Sequence, residues 1–133
     1  MALVVGVVMP VVVGLFATVS GLDRDRAFYP TVMIVIAFLY VLFAAMGAST
    51  NVLVLESMAG AVFVAAAVYG FRSSLWVVAL ALAAHGIFDV AHGRLIANPG
   101  VPVWWPAFCG AYDVTAGAYL GWLLKVDRIR ATP

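Results

Sequence analysis

Long apolar runs separated by short polar breaks fill almost the whole chain. A helix that crosses a bilayer needs about 20 mostly apolar residues, because each residue rises ~1.5 Å across a hydrocarbon core of about 30 Å. Five runs meet this requirement and predict an all-α polytopic membrane protein, a five-transmembrane-helix bundle forming one domain over residues 1–133. The predicted spans cover about Ala2–Ser20, Pro30–Ala48, Val52–Gly70, Leu75–Gly93 and Pro106–Leu124.

The breaks between the runs contain residues that typically begin and end helices. Ser49, Thr50 and Asn51 are good N-cap residues for the third span, and the sequence Arg72–Ser74 offers a capped start to the fourth. The proline-rich stretch Asn98–Pro102 predicts a rigid loop before the fifth span. The first run has no basic n-region and is longer than a usual h-region, so we expect a span there and not a cleaved signal peptide.

Lysine and arginine are unevenly divided between the two sides that five spans define. Only Arg94 falls on one side, and the other six basic residues fall on the opposite side. Basic loops face the cytoplasm in membrane proteins, so the N-terminus is predicted outside and the C-terminus in the cytoplasm. The six are Arg24, Arg26, Arg72, Lys125, Arg128 and Arg130.

Composition excludes several other classes of protein. Hydrophobic residues make up 66% of the 133 residues and charged residues only 10%, against about 45–50% and about 25% in soluble domains. These values exclude a soluble or disordered chain and a basic nucleic-acid-binding domain. The single cysteine excludes a disulfide scaffold. We expect a multi-pass protein of a cell membrane whose main partner is the lipid bilayer.

Five ionisable residues lie inside the predicted spans, where such groups are costly and usually functional. His85, Asp89 and His92 occupy positions i, i+4 and i+7 of the fourth span and therefore share one helix face. Glu56 of the third span and Asp113 of the fifth lie at a similar depth, in the outer half of the bilayer. The five side chains are therefore expected to converge on one site.

Three neighbouring carboxylates repel each other unless protons or a cation compensate them. Two imidazoles with two or three carboxylates form an ordinary ligand set for zinc, iron or copper. The sequence thus predicts a divalent transition metal held by His85, Asp89 and His92, with Glu56 and Asp113 as further ligands or as the catalytic base. The corresponding activity is a metal-dependent hydrolase or oxidoreductase reaction on a lipid or small apolar substrate.

Other interpretations of the same residues remain open. The buried groups are also compatible with a small proton or cation transporter or a channel subunit, which five spans would form as a homo-oligomer. An accessory subunit of a larger membrane complex is a third possibility. A structural network is a fourth, in which Asp113 pairs with Arg94 and Cys109 serves as a packing residue and not as a soft ligand. The loop Asp23–Arg26 is expected to pair its own charges.

Other polar and small residues of the spans are expected to support the site. Gly117 and Gly121 follow Asp113 at intervals of four residues and predict that this face of the fifth span contacts another helix. Further polar contacts near the site are expected from Tyr40, Asn51, Tyr112 and Trp105.

Three stretches carry a resemblance to known proteins. Asp25–Thr31 (DRAFYPT), His85–Gly93 (HGIFDVAHG) and Asn98–Phe108 (NPGVPVWWPAF) resemble a family of small, uncharacterised bacterial multi-span integral membrane proteins. That resemblance implies a multi-pass bundle in the bacterial inner membrane and no activity. Membrane hydrolases of the ceramidase type also hold zinc with intramembrane His and Asp, although their span number and motif spacing differ.

Overall fold

Five α-helices account for most of the chain in the computed structural model, which describes residues 1–133. A short 3-10 helix, Leu22–Arg24, lies between the first two of them. The prediction of an all-α fold with five helices is confirmed. The helices are α1 (Ala2–Ser20), α2 (Phe28–Gly47), α3 (Thr50–Arg72), α4 (Leu75–Leu95) and α5 (Trp105–Lys125).

Four helices, α1 to α4, are long and apolar enough to cross a membrane. Helix α5 has 21 residues and is long enough to cross a membrane. Its mean hydropathy is too low for it to count among the candidate spans. Asp113, Pro106 and three glycines lower its hydropathy.

Side-chain caps fix two of the helix starts. The Ser49 hydroxyl accepts a hydrogen bond from the backbone N–H of Val52 at 3.5 Å, and Ser74 accepts one from Trp76 at 3.4 Å. Both serines lie in breaks that the sequence predicts as capped starts. At the end of α1, Gly21 has a φ of 81°, a left-handed conformation that suits glycine at a helix C-terminus.

Helix α4 is the centre of the bundle and packs against α5, α3 and α2, while α1 packs on the other side of α5. Glycines allow the α4–α5 contact to be close. A Cβ atom at Gly117 would lie 2.8 Å from the Ala79 carbonyl oxygen, and one at Gly86 would lie 2.8 Å from the Gly110 carbonyl oxygen. The small-residue face of α5 therefore meets α4 as the sequence predicts, and Asp113 is buried in the same interface.

Hydrogen bonds from Arg26 join three parts of the chain at one end of the bundle. Its guanidinium donates to the carbonyl of Arg130 at 2.7 Å and to that of Phe71 at 2.8 Å. The loop before α2, the end of α3 and the C-terminal tail therefore meet, and we call this the basic end. At the opposite end, Asn98 donates to the Tyr40 carbonyl at 3.2 Å and holds the loop before α5 against α2.

The loop at the basic end corrects one prediction. Asp23 does not pair with a neighbouring arginine: its carboxylate is 4% exposed and accepts a hydrogen bond from Thr18 at 2.5 Å. The Thr18 hydroxyl also lies 3.1 Å from the Tyr119 hydroxyl. The 3-10 turn after Gly21 folds Asp23 back onto α1, while Arg26 binds backbone carbonyls instead.

The buried interior changes character halfway along the bundle. Apart from Asp23, the buried residues with acidic or imidazole side chains all lie towards the end opposite the basic end. The buried face of α4 shows the change: Leu75, Val78 and Leu82 are followed by His85 and Asp89.

Large apolar side chains cover the outside of the bundle. Phe38 is 55% exposed, Val62 67%, Leu80 68% and Val90 79%. Water-soluble proteins rarely expose apolar surface continuously, because it costs free energy in contact with water. Such a surface is compatible with a lipid environment.

Candidate metal centre

Two pairs of side chains meet at the α4–α5 interface. His85 and Asp89 are four residues apart on α4, and Cys109 and Asp113 are four residues apart on α5. Each pair therefore projects from one helix face. One potential ligand atom from each of the four residues lies within 4.8 Å of all the others. We call these residues the four-donor group; their exposed fractions are 1%, 0%, 3% and 0%.

The His85 imidazole lies between the two carboxylates. Its Nδ1 is 2.7 Å from Asp113 Oδ2 and 3.5 Å from Asp89 Oδ2. The Phe63 ring packs edge-on against the imidazole, with ring centroids 4.6 Å apart. The Cys109 thiol donates to the same Oδ2 of Asp113, with its Sγ 3.9 Å away. Nδ1 thus has one close carboxylate partner, and Asp89 is left with a long contact.

Four buried carboxylate oxygens of this region accept no hydrogen bond, Glu56 Oε2 among them. Both oxygens of Asp89 and Oδ1 of Asp113 are buried and accept no hydrogen bond. The exposed Arg94 does not pair with Asp113, because every ion pair in the structure involves His85 or His92. A buried carboxylate without hydrogen bonds or a counter-charge is strongly unfavourable, so this group requires protons or a cation.

Glu56 and His92 form a second pair nearer the Asn98 end of the bundle. His92 Nε2 is 2.8 Å from Glu56 Oε1, and the Asn98 amide donates to the same oxygen at 2.8 Å. The Tyr40 ring stacks on the His92 imidazole, with centroids 3.9 Å apart and planes 18° apart. Asn98 also holds its own loop, because its Oδ1 accepts from the Gly100 N–H at 3.1 Å.

The five residues expected to converge are thus divided between two neighbouring sets. The structure brings His85, Asp89 and Asp113 together, and it pairs Glu56 with His92 instead of placing them in the four-donor group. His92 follows Asp89 by three residues, so it lies about 4.5 Å further along the helix axis.

Two residues gain a place in the site that the sequence does not assign to them. The sequence favours a packing role for Cys109. Its spacing of four residues from Asp113 is nevertheless a signal that both side chains share one face of α5. Asn98, expected only in a rigid loop, contacts Glu56. Asn51, by contrast, is exposed at the start of α3 and has no side-chain contact with the site.

An open groove of about 520 Å³ leads from the Asn98 end of the bundle to the second pair. His92 and Asn98 line it, together with residues of the loop before α5. His92 of the second pair is thus the buried residue that borders this groove, and no member of the four-donor group lines it.

A divalent cation bound between Asp89 and Asp113 would neutralise both carboxylates of the four-donor group. Nitrogen and carboxylate donors at this proximity suit zinc, iron or copper, so the residues fit such an ion.

Comparisons of the chain with protein-family models, with curated proteins and with solved structures find no match.

Proposed function

We propose that the chain is a five-span membrane protein that binds a divalent transition metal ion through His85, Asp89 and Asp113 and acts as a metal-dependent hydrolase. One observation carries this proposal: four donor atoms lie within 4.8 Å of one another in a buried site, and three carboxylate oxygens there have no partner. A metal ion supplies the positive charge that these oxygens lack.

The proposed membrane orientation places the basic end in the cytoplasm and the metal centre in the outer half of the bilayer. Four apolar helices support a membrane location. Helix α5 packs between α1 and α4, both of which are apolar enough to span, and this position supports α5 as the fifth span. The Arg26 contacts, which gather basic segments at one end, agree with the positive-inside rule.

The number of ligands favours catalysis over a purely structural metal. Structural zinc sites usually have four protein ligands, whereas catalytic sites have three and leave one position open. In the proposed site His85, Asp89 and Asp113 are the three ligands and Cys109 stays unbound, which leaves one position open. A metal ion held there would activate a water molecule or polarise a carbonyl group.

Glu56 and His92 are proposed to exchange protons between the site and the outer surface. They are hydrogen-bonded to each other, and His92 lines the open groove. This role keeps Glu56 in the catalytic machinery but removes it and His92 from the metal ligands.

The buried residues below the site disfavour the transport alternative. Transport would need polar groups from the metal centre towards the basic end. Val78, Leu82, Leu120 and Leu123, which occupy that part of the α4–α5 interface, are apolar and 0% exposed. The arrangement therefore supports a site reached from one side.

Metal analysis of the purified protein tests the proposal. We expect about one zinc, iron or copper ion per chain in the wild type, as in mononuclear catalytic sites. His85→Ala should lower the metal content of the purified protein about tenfold, because it removes a ligand. His92→Ala, a matched change outside the four-donor group, should retain the metal. Absence of stoichiometric metal in the wild type would contradict the proposal, and equal loss in both variants would contradict the assignment of ligands.

A further inference from the structure

A lateral groove of about 300 Å³ opens on the outside of the bundle between α2 and α5. Val32, Ile36 and Leu39 of α2 line one wall, and Trp105, Phe108 and Cys109 of α5 line the other. Nine of its ten lining residues are hydrophobic. The groove has no charged lining residue, so it is unsuited to an ion or a charged metabolite.

The groove runs lengthwise along the bundle. On α2 it extends from Thr31 to Leu39, which corresponds to about 12 Å along the helix axis. If α2 spans the bilayer, the groove runs along the bilayer normal and opens towards the hydrocarbon core. Acyl chains of bilayer lipids have the same direction and the same chemistry.

The groove is continuous with the metal centre through one residue. Cys109 lines the groove, and its Sγ lies 3.9 Å from the Asp113 carboxylate. At the end nearer the Asn98 loop the groove is lined by Trp105, whose indole Nε1–H is buried and has no hydrogen-bond acceptor within the protein. The indole ring itself forms part of the apolar wall at that end of the groove.

From these observations we propose that the lateral groove binds one acyl chain of a bilayer phospholipid, with the carbonyl end of the chain next to Trp105 and Cys109. This inference rests on the proposed function, because it names the substrate class of the same site: an acyl lipid reaching the metal centre sideways from the bilayer. Water and protons would use the separate groove lined by His92 and Asn98.

Photo-crosslinking in vesicles tests the groove directly. The full chain is reconstituted in phosphatidylcholine vesicles that contain a trace of phosphatidylcholine with a diazirine on one acyl chain. After irradiation, mass spectrometry locates the lipid adducts. We expect adducts on the groove walls of α2 and α5 to exceed several-fold those on equally exposed faces, such as the Val62 face of α3.

Two variants of α2 provide the matched comparison. Val32→Trp fills the groove and should lower the groove adducts several-fold. Phe38→Trp places the same side chain on α2 at an exposed position outside the groove. It should leave the number of groove adducts unchanged. The wild-type map alone decides the matter if Val32→Trp fails to fold.

The outcomes separate this inference from the proposed function. Adducts spread over all helices in proportion to exposure would overturn the groove assignment. Metal content is measured on the same samples. A wild type with groove adducts but no metal would overturn the metal-dependent function and leave acyl-chain binding standing.

Discussion

Asp89→Asn is expected to stabilise the metal-free protein and to destabilise the metal-loaded protein. Without metal, both Asp89 oxygens are buried and have no hydrogen-bond partner. The substitution removes an uncompensated charge at nearly constant volume, and an amide N–H can be donated to a neighbouring carboxylate. A buried charge carries an effective desolvation penalty of several kcal/mol, and the neutral amide avoids it, so the free energy of unfolding of the metal-free protein should rise by about 1 kcal/mol or more.

With metal the sign reverses, because the substitution removes a charged ligand. A ligand that binds only the folded state stabilises it by about 2.7 kcal/mol at a concentration 100 times its dissociation constant. The variant should lose most of this gain. Thermal unfolding in detergent is measured once with a chelator and once with added zinc. The two curves give the stability of the metal-free and the metal-loaded form of each protein.

Asp127→Asn is the matched control for this experiment. Asp127 is exposed near the C-terminus and has a φ of 53°, which asparagine tolerates. We expect Asp127→Asn to leave the unfolding temperature unchanged, both in the chelator and with added zinc. Destabilisation by Asp89→Asn in the chelator would show that Asp89 is already compensated in the metal-free protein, and the metal would then not be needed to balance its charge.

Glu56→Ala is expected to loosen the loop before α5 and to reduce stability by about 3–5 kcal/mol, the range for breaking a buried charged pair. Glu56 Oε1 accepts from Asn98 and lies 2.8 Å from His92 Nε2. Its loss leaves the His92 imidazole and the Asn98 amide without this partner. Hydrogen–deuterium exchange over residues 96–104 should therefore increase, while the metal content should be retained.

Glu56→Gln distinguishes the hydrogen bonds from the charge. Glutamine keeps an oxygen that accepts from Asn98, so exchange in the loop should return towards the wild-type rate. Loss of metal in Glu56→Ala would mean that Glu56 is itself a ligand. Unchanged exchange in that variant would mean that the Asn98 contact does not hold the loop.

The helices could be predicted because the signal for each one is local. An apolar run of membrane length predicts a helix from its own residues, and Ser49 and Ser74 mark two of the starts by bonds to N–H groups close in sequence. The weakest apolar signal belongs to α5. Its glycines and Asp113 reduce hydropathy because they serve the contact with α4.

The site could be predicted only where it depends on one helix. The spacing of His85, Asp89 and His92 places them on one face of α4, and all three are buried there. Which carboxylate each histidine meets depends on the order and rotation of the neighbouring helices, which one sequence does not encode locally. Glu56 pairs with His92, and Asp113 pairs with His85.

Loop contacts are the least predictable part for the same reason. Asn98 reaches Glu56 across 42 positions of the sequence, and Asp23 turns back to Thr18 instead of pairing within its charged loop. Glu56 becomes a neighbour of Asn98 only after the helices pack. Asp23 meets Thr18 because the 3-10 turn folds the chain back over five residues.

Anomalous X-ray scattering from crystals grown with zinc tests the central claim most directly. Data collected on either side of the zinc absorption edge locate the ion independently of any activity. We predict one strong peak between His85, Asp89 and Asp113, with Cys109 beside it, and none at the Glu56–His92 pair. A peak only at Glu56 and His92, or no peak inside the bundle, would contradict the proposed metal centre.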